Sequence, residues 1–598
     1  MRSERTSSFV DPHAFLNNRV VVRVLLVLTV LNPLVFIWQG GDLTDTGFHA
    51  LRAQNFFADV HTEMIPADAV LSYFIGGLWW QVFPGLGLFG FHLLGAIVTI
   101  IGTLVPFFAL KELREHPVIS LVALLAAQAF SIRTNLSFGY DLISMFFQYM
   151  AVVFMYRGMA HRKASFLFMA GGLITAAALA RIPSILALGL IVLPLVWKDE
   201  MKPSHTNDGN AMKTSALVVA FRRMALILIG SASAFLLAAA IGQATGTLHV
   251  YLDGVADLFT SSQQGGSHNK GALFTRYFDD AVLTVEWLGL ALLWMVVAWF
   301  AFDHRVPRWA GLVFIGMTSV VLFIWLADSD ALGYRHPLKY LVLAIYGPWS
   351  VLLVTGALKT SSALRTMAVA GLILIFTGFL GSNTGLLKTK HAMLFLIPIC
   401  TVSVWYGATN GLGDNLRKWK RIALLMAGLV FMSSFVARFG FVYHASQGFL
   451  DRLSFTHAYE TPLMFGIHSS KERVAFVDEI VPSIVETDPE RELFVYGRAP
   501  ALYFLTERKP FIKEVWLGGN KYSADMIKNS LDDRIAEGAT LPLLVITDRS
   551  TLGADGKEMI SDFLTKHDYT RAFERSDSSA FPWEIWTPAR SFQHHSPM

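Results

Sequence analysis

Two carboxylates, Asp42 and Asp45, stand in the stretch Gly40-Gly41-Asp42-Leu43-Thr44-Asp45-Thr46-Gly47-Phe48-His49, with Arg52 and Asn55 just beyond. They follow directly on an apolar run from Val20 to Trp38. A run of about 20 mostly apolar residues is long enough to cross a bilayer as a helix. Charge at membrane depth is costly unless it faces a wet cavity or a partner, so acids at the mouth of a crossing are candidates for chemistry. A carboxylate there can take a proton from a hydroxyl or an amine within hydrogen-bond reach. The competing reading is a pair of solvated loop aspartates beside a helix-capping threonine.

Other polar residues recur at the same boundary. A second outer loop offers Arg133, Asn135, Tyr140 and Asp141, and Asp141 opens a new apolar run. Arg181 ends another, in Leu179-Ala180-Arg181-Ile182-Pro183. Later loops bring Tyr334-Arg335-His336-Pro337-Leu338-Lys339-Tyr340, then Gly381-Ser382-Asn383-Thr384-Gly385 followed by Lys388, Lys390 and His391. Acids and bases sharing one membrane boundary suit a sugar carried on a lipid phosphate. Arg and Lys can hold the phosphate and stabilise it as it leaves, while a carboxylate deprotonates the acceptor. Each base has a plainer reading, as a side chain snorkelling to lipid headgroups. The histidines His49, His336 and His391 lack metal-ligand spacing.

These residues need elements to position them. The chain has 598 residues, of which 54% are hydrophobic and 16% charged, with a mean hydropathy of +0.47. Soluble domains carry about 25% charged residues, and here the apolar residues are bunched into long runs. The composition therefore defines a polytopic membrane protein. The net charge of +4 is too mild to indicate nucleic acid as a partner. The single cysteine, Cys400, lies in an apolar run and cannot form an internal disulfide. No cleavage site follows the first apolar run, so it is expected to remain as an anchor.

Apolar runs fall near 20–38, 86–110, 117–132, 141–156, 164–180, 182–197, 224–243, 281–301, 310–327, 338–357, 366–380, 391–408 and 422–440, or about 13 crossings. The segment from Ala69 to Phe83, with Tyr73, Phe74, Trp79 and Trp80, reads as an interfacial helix. Lys and Arg concentrate at one set of loop ends, including Arg19, Arg23, Lys111, Arg114, Arg162 and Lys163. Acids gather at the other set, including Asp42, Asp45, Asp59, Asp68, Asp141, Asp279 and Asp280. The basic ends mark the cytoplasm, which puts the N-terminus inside and everything beyond about residue 441 outside. The polar loop Lys198–Arg223 reads as a flexible cytoplasmic connection. The outer loop Thr245–Phe278, Gly- and Ser-rich from Ser261 to Lys270, is either a lid or a linker.

After residue 440 the pattern changes. Glu492–Gly497 and Leu541–Asp548 are short apolar runs that look like buried parallel strands, with helical patterns around 500–506, 523–538 and 556–567. The chain thus divides into a transmembrane module, 1–440, and a small extracytoplasmic α/β domain, 441–598. That domain carries no phosphate-loop or dinucleotide motif.

The sequence resembles the GT-C superfamily of polyprenyl-phosphate-sugar-dependent membrane glycosyltransferases, such as bacterial aminoarabinose transferases and protein mannosyltransferases. The likeness rests on the acidic first outer loop Asp42–Asn55, on Asp141, on the small-residue run Ala176–Pro183, and on the tail motif from Phe494-Val-Tyr-Gly497 through Pro500 to Thr506. It implies a GT-C-like helical module whose first-loop acid is the catalytic base, assigned to Asp45 with Asp42 as rival. Asp141 joins them as a catalytic candidate, and His49, Arg52, Arg181, Arg335, His336, Lys339, Asn383 and Lys388 are the candidate substrate ligands. Many members have an adjacent Asp-Glu pair, whereas Leu43-Thr44 separates the acids here. A divalent metal ion joining Asp45 and Asp141 stays open, as do the sugar and the acceptor, which is a glycolipid, a polysaccharide or a protein. The implied place is the outer face of a bacterial inner membrane. The alternatives are a transporter or flippase of lipid-linked glycans, and a non-catalytic subunit of a cell-envelope assembly complex.

Overall fold

A computed structural model describes residues 18–59, 67–132, 137–197, 209–261, 270–301, 307–327, 337–357, 360–380, 382, 384–409, 414–437, 451–517, 522–547, 553–575 and 581–589. Each apolar run read from the sequence contains helix among its described residues. This is the expected outcome, because a segment in hydrocarbon must satisfy its backbone hydrogen bonds internally. Among the described residues five helices are long and apolar enough to cross a membrane: Pro84–Ala109, Tyr140–Ala160, Ala216–Ala244, Leu273–Phe300 and Ser362–Phe379. Shorter apolar helices accompany them, such as Ala164–Ala180 and Lys390–Trp405. The chain is a multi-pass helical membrane protein with a small C-terminal sheet region.

Burial separates the helices into two kinds. Tyr140–Ala160 is 72% buried, whereas Ala216–Ala244 is 11% and Leu273–Phe300 is 17%. The last two leave large side chains such as Phe235, Leu236, Val285 and Leu293 uncovered. Apolar surface on that scale needs lipid or a partner to cover it. The inner group packs into one large core that includes Tyr149, Met155, Ile174, Leu374 and Phe395.

Three expectations shift. The run 182–197 is a 3-10 helix over Ile182–Val192 that becomes α-helical only at Leu193–Val196. Pro183 and Pro194 sit in the first turn of each piece, where a missing N–H does no harm. The stretch 198–223 is not loop throughout, since the helix Gly209–Ala244 already includes its second half. Its Ala, Met, Lys and Leu residues are good helix formers that extend the crossing. The outer loop read over Thr245–Phe278, a lid or a linker, is helical over Leu248–Ser261 and again from Lys270 onward, and its residues 262–269 lie outside the described residues.

For the site, the elements that matter are α1 (Arg19–Leu34), α2 (Asp45–Gln54), α3 (Val70–Val82), α4 (Tyr140–Ala160), α5 (Ala164–Ala180), α6 (Lys270–Ala301), α7 (Pro337–Thr355), α8 (Ser362–Phe379) and α9 (Lys390–Thr409). The helix α3 corresponds to the aromatic segment read as interfacial.

In the tail, β1 (Leu493–Tyr496) and β2 (Leu543–Thr547) pair in parallel, with Leu493 opposite Leu543. Both are buried throughout, as continuous apolar runs require. The sheet also holds β3 (Tyr569–Arg575) and β4 (Trp583–Pro588), which pair antiparallel with each other. The strand order is β1-β2-β4-β3. The sequence pattern missed this pair because its residues are only partly buried and mix charge with aromatics.

The loop that leads into α2 is knitted into that tail. His468 donates its backbone N–H to Trp38 (2.7 Å), and Gly40 donates to His468 (2.8 Å). Ala501 donates to Leu43 (3.0 Å), and Arg473 Nε to Gly41 (3.3 Å). One hydrophobic core joins Leu43, Ala50 and Leu51 from the loop to Val477, Val495, Leu502 and Phe504 from the tail.

Candidate active site

Asp141 lies in the first turn of α4, where the exposed N–H groups and the helix dipole favour a negative charge. Its Oδ1 pairs with Arg181 Nε at 2.9 Å, and its Oδ2 pairs with Lys388 Nζ. The three side chains are 16%, 7% and 21% exposed. Charges so far out of water persist only when paired.

Arg181 caps the C-terminus of α5 with an extended backbone. Its Nη1 donates to the carbonyl of Thr377 at 2.8 Å and its Nη2 to that of Leu380 at 3.3 Å. Those carbonyls lie at the end of α8, where intrahelical donors run out. Arg181 therefore fastens α4, α5 and α8 together, which absorbs much of its hydrogen-bonding capacity. Below it a polar chain continues: Thr377 donates to Gln148 (2.6 Å) and Ser144 to Ser184 (2.6 Å).

Lys388 sits in the 3-10 turn Gly385–Thr389, with its ammonium 5.8 Å from the centre of the Tyr140 ring. Lys390 and His391 follow at the start of α9. The backbone carbonyl of His391 accepts from the Tyr149 hydroxyl. Its ring is buried, and Nδ1 has no hydrogen-bond partner among the described residues.

Asp45 heads α2 and is half-buried. Lys390 interacts electrostatically with Lys388, Asp141 and Asp45. Acids from two distant loops thus share one basic neighbourhood. His49 lies one turn along α2. Its Nδ1 is 3.1 Å from the Tyr73 hydroxyl, and its ring meets Tyr140 edge-on at 5.0 Å. Burial pushes the Tyr73 phenol well above its ordinary value, so it stays protonated and able to donate to the imidazole. Asp68 interacts electrostatically with Tyr73 and Tyr140. The sequence reading counted Asp68 among the outer acids and Tyr73 among interfacial aromatics without placing either at the site. The signal available was their shared segment, five residues apart around the start of α3.

Asp42 and Arg52 are engaged in other contacts. Asp42 is buried and turned to local work: Oδ1 accepts from Thr44 N (2.9 Å) and Thr44 Oγ1 (2.6 Å), and Oδ2 from Thr46 N (2.8 Å). It caps the start of α2. Arg52 turns to the tail, donating to the carbonyl of Lys513 at 2.8 Å with its guanidinium 5.5 Å from the Phe48 ring. Arg133, Asn135, Arg335, His336 and Asn383 lie outside the described residues. Lys339 belongs to α7, its side chain outside the described residues. No group of three or more His, Cys, Asp or Glu is placed to hold a metal ion among the described residues.

No protein-family profile matches the chain, and no curated protein sequence does. Among solved structures, the chain is similar to ArnT from Cupriavidus metallidurans bound to undecaprenyl phosphate, at 12% identity and a TM-score of 0.41, over 95% of this chain and 97% of that one. It is also similar to the Archaeoglobus fulgidus oligosaccharyltransferase in complex with Zn and sulfate, at 13% identity and a TM-score of 0.43, over 94% and 72%. The sequence resemblance to membrane glycosyltransferases stands beside these matches.

Proposed function

We propose that this protein is an integral-membrane glycosyltransferase. It moves a sugar from a polyprenyl-phosphate carrier to a glycolipid, polysaccharide or protein acceptor at the outer face of a bacterial inner membrane. The supporting observation is the shared charge cluster: Asp45 and Asp141, from different outer loops, both interact with Lys390 beside Lys388. The acceptor hydroxyl or amine attacks the anomeric carbon as the bond to the phosphate oxygen breaks. The electron pair leaves with the polyprenyl phosphate, whose charge Lys388 and Lys390 stabilise. The acceptor proton passes to Asp45. Asp45 rather than Asp42 takes this role because both Asp42 oxygens are engaged in capping α2. The excess of Lys and Arg at the opposite loop ends supports an inside N-terminus and an outside tail.

The test is turnover by purified full-length protein supplied with polyprenyl-phosphate sugars, followed by mass analysis of the acceptor. Asp45→Asn is expected to abolish product while the protein stays folded and inserted. Undiminished product from that variant would remove Asp45 as the base. Movement of intact lipid-linked sugar across liposomes without bond exchange would favour a flippase.

A further inference from the structure

The lysine-bearing turn Gly385–Thr389 is held by a carboxylate outside the charge cluster. Asp280, on α6, is fully buried. Its Oδ2 accepts the backbone N–H of Leu386 at 2.9 Å, and its Oδ1 accepts the Tyr340 hydroxyl from α7 at 2.9 Å. Arg276 Nε, one turn earlier on α6, lies 3.6 Å from Oδ1. Tyr277 adds a bond to the Phe379 carbonyl at 3.2 Å, tying α6 to the end of α8. Gly385 has φ +63°, and a Cβ there would lie 1.9 Å from Asp280 Oδ2. The glycine is thus required twice, by its left-handed backbone and by the carboxylate seated against it.

We infer that Asp280 is a positioning residue for the active site: by gripping the Leu386 amide it sets where Lys388 points. A buried carboxylate is tolerated only with such a set of partners, and here each partner belongs to an element that frames the turn. The effect on turnover rests on the proposed glycosyl transfer, whereas the effect on the turn does not.

Two measurements on the full-length protein in detergent test this. In hydrogen–deuterium exchange, Asp280→Ala is expected to speed exchange across 385–389 by about tenfold while α4 and α5 stay protected. Asp280→Asn keeps an oxygen that can accept from Leu386 and should exchange closer to wild type. Gly385→Ala should behave like Asp280→Ala, which guards against misfolding of a single variant. Unchanged exchange in both Asp280→Ala and Gly385→Ala overturns the assignment. In the kinetic arm, Lys388→Ala and Asp280→Ala should each raise KM for a polyprenyl-phosphate sugar by about tenfold, and the double variant should raise it no further. Additive losses would mean that Asp280 does not act through Lys388 and would overturn the assignment. If wild-type protein transfers no sugar from any carrier, the functional proposal falls and the exchange arm still decides the role of Asp280.

Discussion

At the scale of single residues, Asp42 and Asp45 are three positions apart yet face different tasks. Asp42 binds backbone and side-chain donors of Thr44 and Thr46, so Asp42→Ala removes charge-assisted bonds at the start of α2. It should lower stability by about 1–3 kcal/mol, read as a fall in thermal midpoint, with residual activity. Asp45→Asn should instead leave the midpoint within a degree or two and cut turnover by about 100-fold or more. The sequence places acids at this mouth and prefers Asp45 only by resemblance, since the capping work of Asp42 depends on how Thr44 and Thr46 fold back. Arg181 is similar. Its position beside Pro183 was visible, whereas its bonds to Thr377 and Leu380 depend on a helix nearly 200 residues away. Arg181→Met leaves two carbonyls and half of Asp141 without their donor. It should destabilise the helical module by about 3 kcal/mol, measured by thermal unfolding in detergent.

At the scale of elements, α2 packs on both the helical module and the tail. Its Gly47 has no room for a side chain, because a Cβ would come within 2.4 Å of the Ala501 Cβ. Gly47→Val should force α2 off the tail at a cost of about 1–3 kcal/mol. Faster protease release of the tail would show this, and an unchanged digestion rate would contradict it. Helix positions and the strand pair β1 and β2 were legible in the sequence because hydrophobic runs of helix and strand length differ. The 3-10 stretch Ile182–Val192 was not, since its composition is that of an ordinary crossing. The strands β3 and β4 escaped for the opposite reason: their partial burial leaves no clear alternation.

For the whole molecule, the division at residue 440 reads naturally from composition, yet the tail and the loop that opens α2 share a core of Leu43, Ala50, Leu51, Leu502 and Phe504. Composition reports local character, and packing across more than 400 residues leaves no trace in it. Deleting 441–598 should therefore do more than remove a cover. It should uncover the apolar face of α2, raise protease cutting between residues 39 and 55, and eliminate turnover. Normal protection of that loop in the truncated protein would show that the shared core is dispensable.

The bond from Gln39 to the Arg452 carbonyl joins residues 413 positions apart. A ribosome adding 5–20 residues per second needs about 20–80 s to make the intervening chain. For that interval the acidic mouth exists without the partner that completes it. The core that α2 shares with the tail, and whatever rests on it, can therefore close only after the segment carrying Arg452 has been made.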